Sequence, residues 1–157
     1  MKVLVECNVD EAILRALGIP RMQLLHFGGK YELVKRLKNR AKDVGMVDED
    51  PGKGHPPQDM RNYRQTESTN GLKLLTRQGS SGQKLVVVCP YLEEWLLDRA
   101  KSAGIRPENY GLPVDPDSLH SIPRYEQKEG FKRFLAELKE KDKGMKLLEQ
   151  WLLQNTA

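Results

Sequence analysis

Before residue 52 the chain reads strand, helix, strand, helix, strand with short connections, and few folds accept that order. Lys2-Val3-Leu4-Val5-Glu6 is an apolar, β-rich run without polar alternation, which predicts a strand buried on both faces. Asn8 is placed to cap the helix Asp10–Leu17, whose inner face is Ile13, Ala16 and Leu17, and Gly18 and Pro20 end it. Met22–Phe27 reads as a second strand closing on Gly28-Gly29. Lys30–Lys42 follows as an amphipathic helix, with Tyr31, Val34 and Leu37 inward and Lys35, Arg36, Lys38 and Arg40 outward. Val44–Asp48 is the third strand. This alternation implies an α/β fold with a mainly parallel central sheet and helices on its faces.

Sheets of this kind place ligands beyond the carboxyl ends of their strands. Glu6, the turn Gly28-Gly29-Lys30 and the pair Asp48/Asp50 all fall at such ends. The most telling stretch is Val44-Gly45-Met46-Val47-Asp48-Glu49-Asp50-Pro51-Gly52, an apolar run that stops in three acids. Side chains alternate along a strand, so Asp48 and Asp50 are expected to project together while Glu49 points away. Two carboxylates at the end of a buried strand repel each other and lose solvation. A hard cation such as Mg²⁺ takes such oxygens together with water and substrate phosphate. The pattern therefore points to metal-assisted phosphoryl transfer.

The rest of the chain fits around that core. Pro51–Asn70 reads as a long loop carrying Lys53, His55, Arg61 and Arg64, with a short helix over Gln58–Thr66. Leu72–Thr76 and Lys84–Cys89 read as strands of a hairpin about the turn Gly79-Ser80-Ser81-Gly82. Pro90 opens a helix to Ala103 with Leu92, Trp95, Leu96 and Ala100 inside. Arg106–Arg124, with Pro107, Pro113, Pro116 and Pro123, reads as a loop. Helices over Lys128–Lys141 and Met145–Leu153 finish the chain, with Trp95 and Trp151 as core residues. The expected organisation is one domain: an α/β core at 1–103 and a loop and helical extension at 104–157 packed on it.

Composition narrows the classes. A chain of 157 residues can bury a sizeable core. No apolar run is long enough to span a bilayer and no charged-then-apolar leader precedes the first strand, so the expected location is cytoplasmic, without membrane contact. Cys7 and Cys89 lack CxxC spacing, which argues against zinc and disulfide frameworks. With 26 Lys+Arg against 22 Asp+Glu, the net charge of +4 permits a phosphate-rich partner without requiring one.

Taken together the motifs resemble a known family. Val3-Leu4-Val5-Glu6-Cys7-Asn8-Val9-Asp10 resembles the first Toprim motif: an apolar strand, Glu, usually Gly, then Asp four residues after the Glu. Phe27-Gly28-Gly29-Lys30 resembles the glycine turn between motifs, especially in overcoming-lysogenization-defect (OLD) nucleases. Met46-Val47-Asp48-Glu49-Asp50-Pro51-Gly52 resembles the second motif, the DxD. The resemblance covers roughly residues 1–103 and extends to ribonuclease M5-like maturases.

It implies a Toprim-like Rossmannoid fold with additional C-terminal helices, and a small stand-alone Toprim protein that cleaves phosphodiesters in DNA or RNA using Mg²⁺, with Mn²⁺ as substitute. By the resemblance, Asp48 and Asp50 ligate the metal and Glu6 is general acid or base. Asp10 is a further ligand or holds the first one. Glu93 and Glu94 are candidates for a later acid, Glu94 being taken as the ligand, although carboxylates early in a helix also suit its dipole. Gly28, Gly29, Lys30, Lys53 and Arg61 are expected at phosphate or nucleic acid, the three cations being otherwise a solvated face. Cys7 stands where the family usually has Gly, and its side chain is expected to crowd the turn. His26 reads as structural and His55 as a candidate proton donor, while Tyr63, Tyr91 and Tyr125 do not read as nucleophiles. OLD nucleases carry an ATPase domain, so a separately encoded ATPase is an implied partner. The alternatives are a non-catalytic Toprim-fold binding module and a receiver-like regulator.

Overall fold

The computed structural model describes residues 1–79 and 82–153. Six strands form one sheet: β1 (Val3–Val5), β2 (Leu24–His26), β3 (Val44–Asp48), β4 (Tyr63–Thr69), β5 (Leu72–Arg77) and β6 (Lys84–Val88), in the order β2-β1-β3-β6-β5-β4. The first four in that order are parallel, and β5 and β4 are antiparallel at one edge. The helices are α1 (Asn8–Ala16), α2 (Lys30–Leu37), α3 (Leu92–Ala103), α4 (Pro116–His120), α5 (Glu129–Lys141) and α6 (Lys143–Leu153). This is a Rossmann-like α/β fold with a mostly parallel sheet.

β2 lies on one side of β1 and β3 on the other, so the chain reverses its direction of travel across the sheet after β2. Right-handed crossovers then require α1 and α2 to lie on opposite faces. The burial pattern agrees. Val3, Val5, Val44, Met46, Val86 and Val88 face one core, covered by α1, α3, α5 and α6. Leu4, Val47, Leu85 and Val87 face the other, with Leu33, Val34 and Leu37 of α2. Both faces are dry, which is why these strands read as unbroken apolar runs. Gly45 lets α2 approach, since a Cβ there would lie 2.9 Å from Leu33 Cδ2 and Leu85 Cδ1. Phe131, Phe134, Leu138, Leu148 and Trp151 are buried in the same cluster as β1.

Several expectations shift at the edges. The second strand is only Leu24–His26, preceded by a 3₁₀ turn over Arg21–Gln23. α1 takes Cys7, not Asn8, as its N-cap. α2 stops at Leu37, and Tyr31 is 66% exposed instead of facing inward. The helix expected over Gln58–Thr66 is a 3₁₀ turn, Gln58–Asn62, followed by β4. β4 was hidden because it is an exposed edge strand: it lacks apolar alternation, and its charges and the irregularity between Gln65 and Glu67 suit an unpaired edge. The β5–β6 hairpin forms in register from Leu72↔Val88 to Thr76↔Lys84, while Ser80 and Ser81 of its expected turn lie outside the described residues. α3 begins at Leu92 with Tyr91 as N-cap, two residues after Pro90. The stretch expected as loop contains α4, whose Asp115 carboxylate accepts the Ser118 N–H at 2.9 Å.

Candidate metal centre

β1 and β3 are adjacent and parallel, paired Val3↔Val44 and Leu4↔Gly45. They flank the point where the strand order reverses, and the crevice outside their carboxyl ends is where such sheets bind ligands. Glu6 leaves β1 there, Asp48 ends β3, and Asp50 follows. One carboxylate oxygen from each of Glu6, Asp48 and Asp50 lies within 4.8 Å of the others. Glu49 turns away, as alternation predicts, and its carboxylate is ion-paired with Lys73.

Backbone pairing with β6 continues past the strand and aims these acids. Glu49 N–H donates to Val88 O and Asp50 N–H to Pro90 O, each at 2.8 Å. Asp50 then adopts φ 47°, a left-handed conformation that Asp and Asn tolerate better than other non-glycine residues. Asp48 Oδ2 accepts the Leu92 N–H at 3.2 Å, in the first turn of α3. Asp10, only 2% exposed, stands beneath Glu6. Its Oδ2 accepts the N–H groups of Glu6 at 3.1 Å and Cys7 at 3.2 Å, closing the turn from β1 into α1. Asp10 therefore fixes the backbone of the cluster and is not among its converging oxygens. Cys7 lies at φ −145°, an extended conformation open to any residue, so the turn does not require the glycine expected there.

These acids hold charge at a cost. Burial pushes the Glu6 carboxyl up to about 7, with the charges of Asp10 and Asp50 adding to it and Lys30 opposing. Burial and the charge of Asp48 push Asp10 to about 7 as well. Asp48 is likewise raised to about 7, first by burial and then by Glu6, Asp50 and Glu93, against the Leu92 hydrogen bond. A hard divalent cation relieves this repulsion, and an all-oxygen carboxylate set suits one. The half-buried acidic triad can hold a metal ion.

The other sequence-selected residues divide. Gly28 and Gly29 form the turn from β2 into α2, where Gly29 has φ 155°. Lys30 reaches the rim of the site, donating from Nζ to Glu49 O at 2.8 Å. Lys53 is exposed after Asp50, and its backbone N–H bonds Asp50 O at 3.2 Å. Arg61 is not brought to the acids. It lies in the 3₁₀ turn whose Asp59 pairs with Lys38 beyond the end of α2, at the amino ends of the parallel strands. Glu94 is also elsewhere, lining a cleft with Leu97, Lys101 and Ile105. His26 bonds Glu6 O through Nε2 at 2.9 Å, and His55 is exposed.

Sequence reasoning missed a cluster beside the triad. Glu93, 8% exposed, accepts the Tyr125 O–H at 2.9 Å and meets His120 Nδ1 at 2.9 Å through the same oxygen. Its charge also acts on Asp48. No local pattern announces this cluster, because its partners lie 27 and 32 residues apart across a proline-rich stretch.

Fold and site thus define a Rossmann-like α/β protein with a metal-competent acidic triad at its topological switch point. Comparison with family models, curated proteins and solved structures found no match for the chain. Among the described residues, no helix is long and apolar enough to cross a membrane.

Proposed function

We propose that this chain is a divalent-metal-dependent phosphoryl-transfer protein of Toprim type that cleaves phosphodiesters in DNA or RNA, with Mg²⁺ as the working ion and Mn²⁺ as its substitute. One observation carries the reading: three carboxylates at and just beyond the carboxyl ends of two adjacent parallel strands converge within 4.8 Å at the switch point. A bound divalent ion supplies charge neutralisation on the phosphoryl oxygens and makes nearby water more acidic.

Asp48 and Asp50 would hold the ion. Glu6 completes the oxygen set or takes the proton of the attacking water, a role suited to a carboxyl poised near neutral pH. Asp10 keeps Glu6 in place through its backbone N–H. Lys30, at the rim, is placed to meet a phosphate.

The test is a titration of wild type and of Asp48→Asn/Asp50→Asn with Mg²⁺ and Mn²⁺, by thermal shift, alongside cleavage of labelled single- and double-stranded DNA and RNA. A metal response and cleavage, both lost in the variant, are expected. A metal response without cleavage leaves a binding module, and no metal response in the wild type overturns the reading.

A further inference from the structure

A groove of about 890 Å³ lies apart from the triad, between α1 and α5. It starts at Asn8, two residues after Glu6, and runs along α1 to Arg21 beyond its far end. The side chains of Arg15, Lys132 and Lys139 rim it and have no ion-pair or hydrogen-bond partner among the described residues, whereas Arg21 is paired with Glu11 at 3.6 Å. The remaining acid on the rim is Glu126, so the groove carries an excess of positive charge. Its apolar lining is Ala12, Ala16, Ala136 and the buried Leu135.

We propose that this groove is the track on which a single nucleic-acid strand lies as its phosphodiester backbone leads into the acidic triad. The direction of the strand rests on the function proposed above; binding in the groove does not. α1 has nine residues, so at about 1.5 Å each the track is roughly 14 Å long. The short alanine side chains leave room for a sugar–phosphate chain between the helices, and the three unpaired cations meet its phosphates. Among the described residues no aromatic side chain lines the groove, so it reads charge instead of base identity. An acidic peptide would meet the same cations, but the Asn8 end of the groove lies two residues from Glu6 of the metal-competent triad, which favours a phosphodiester strand.

The test is fluorescence anisotropy in EDTA with a labelled 12-nucleotide single strand, as DNA and as RNA. Wild type is compared with Arg15→Gln/Lys132→Gln/Lys139→Gln and with a control of equal charge loss elsewhere, Lys42→Gln/Lys101→Gln/Lys146→Gln. Binding of either strand is expected to weaken roughly ten-fold or more in the groove variant, and the slope of log K against log salt to fall by about 2 for three lost contacts. The control is expected to bind as the wild type does. Equal loss in both variants, no binding by the wild type at low salt, or equally tight binding of a labelled glutamate 12-mer would overturn the proposal. Because EDTA removes metal from every arm, failure of the metal centre cannot mimic failure of the groove.

Discussion

Strand β3 carries an acid at each end, and the fold treats the two in opposite ways. At the amino end Asp43 is 8% exposed, and its carboxylate accepts the Lys2 N–H at 2.7 Å and Arg40 Nε at 2.6 Å. At the carboxyl end Asp48 receives one backbone N–H and otherwise faces Glu6 and Asp50. Asp142, 3% exposed, follows the amino-end pattern, with Met145 N–H at 2.9 Å and the Arg99 guanidinium at 3.7 Å. At Asp43 and Asp142 this chain supplies both a backbone donor and a cation. At the ends of β1 and β3 it gathers acids and leaves their charge to be met from outside. That contrast, more than the acids themselves, marks the site.

The largest effect expected is on the response to metal. At about 100 times its Kd an ion stabilises a protein by about 2.7 kcal/mol, a Tm rise of roughly 5–10 °C for a chain of this size. Asp48→Asn/Asp50→Asn should abolish that rise, and Asp43→Ala should keep it. A variant pair that responds equally to Mg²⁺ would erase the distinction between the two ends of β3. The next effect concerns stability without metal. Asp43→Ala should cost about 1–3 kcal/mol, because it strips a charged acceptor from a backbone N–H and a guanidinium. Urea denaturation measures it as a lower midpoint at unchanged slope.

The carboxyl-end half of this contrast could be read from the sequence, whereas the buried partners of Asp43 and Asp142 could not. Val3–Val5 and Val44–Asp48 announced themselves by unbroken hydrophobicity, because both faces of the sheet are covered. Glu6, Asp48 and Asp50 followed from strand ends and alternation. β4 escaped because an exposed edge strand has no apolar face to display. Tyr31 shares three-residue spacing with Val34 and Leu37, but the buried face of α2 is Leu33, Val34 and Leu37, and Tyr31 falls off it. Glu93, not Glu94, approaches the triad, and only the folded position of Tyr125 and His120 distinguishes these neighbours. Asp10 was legible as a site residue. Its bonds to the Glu6 and Cys7 N–H groups are a matter of turn geometry that spacing does not carry.

The finest test reverses a sign along one strand. Asp10 and Asp48 are raised from 3.8 to about 7 and Glu6 from 4.5 to about 7 in the folded protein. Between those values the native state binds more protons than the unfolded chain, so stability falls as pH rises. The contribution is fully present below about pH 4 and lost by about pH 8. Metal-free protein should therefore show a Tm that declines across this window, and saturating Mg²⁺ should flatten it by taking the place of the protons. Asp48→Asn removes one of the mutually repelling charges yet keeps an oxygen for the Leu92 N–H. In EDTA it should stabilise the protein at pH 8, by about 1 kcal/mol, and do nothing at pH 4, where Asp48 is already neutral. Asp43→Ala, at the other end of the same strand, should destabilise at pH 8. If Asp48→Asn also destabilises there, Asp48 serves only as a cap for α3, and the two ends of β3 are alike.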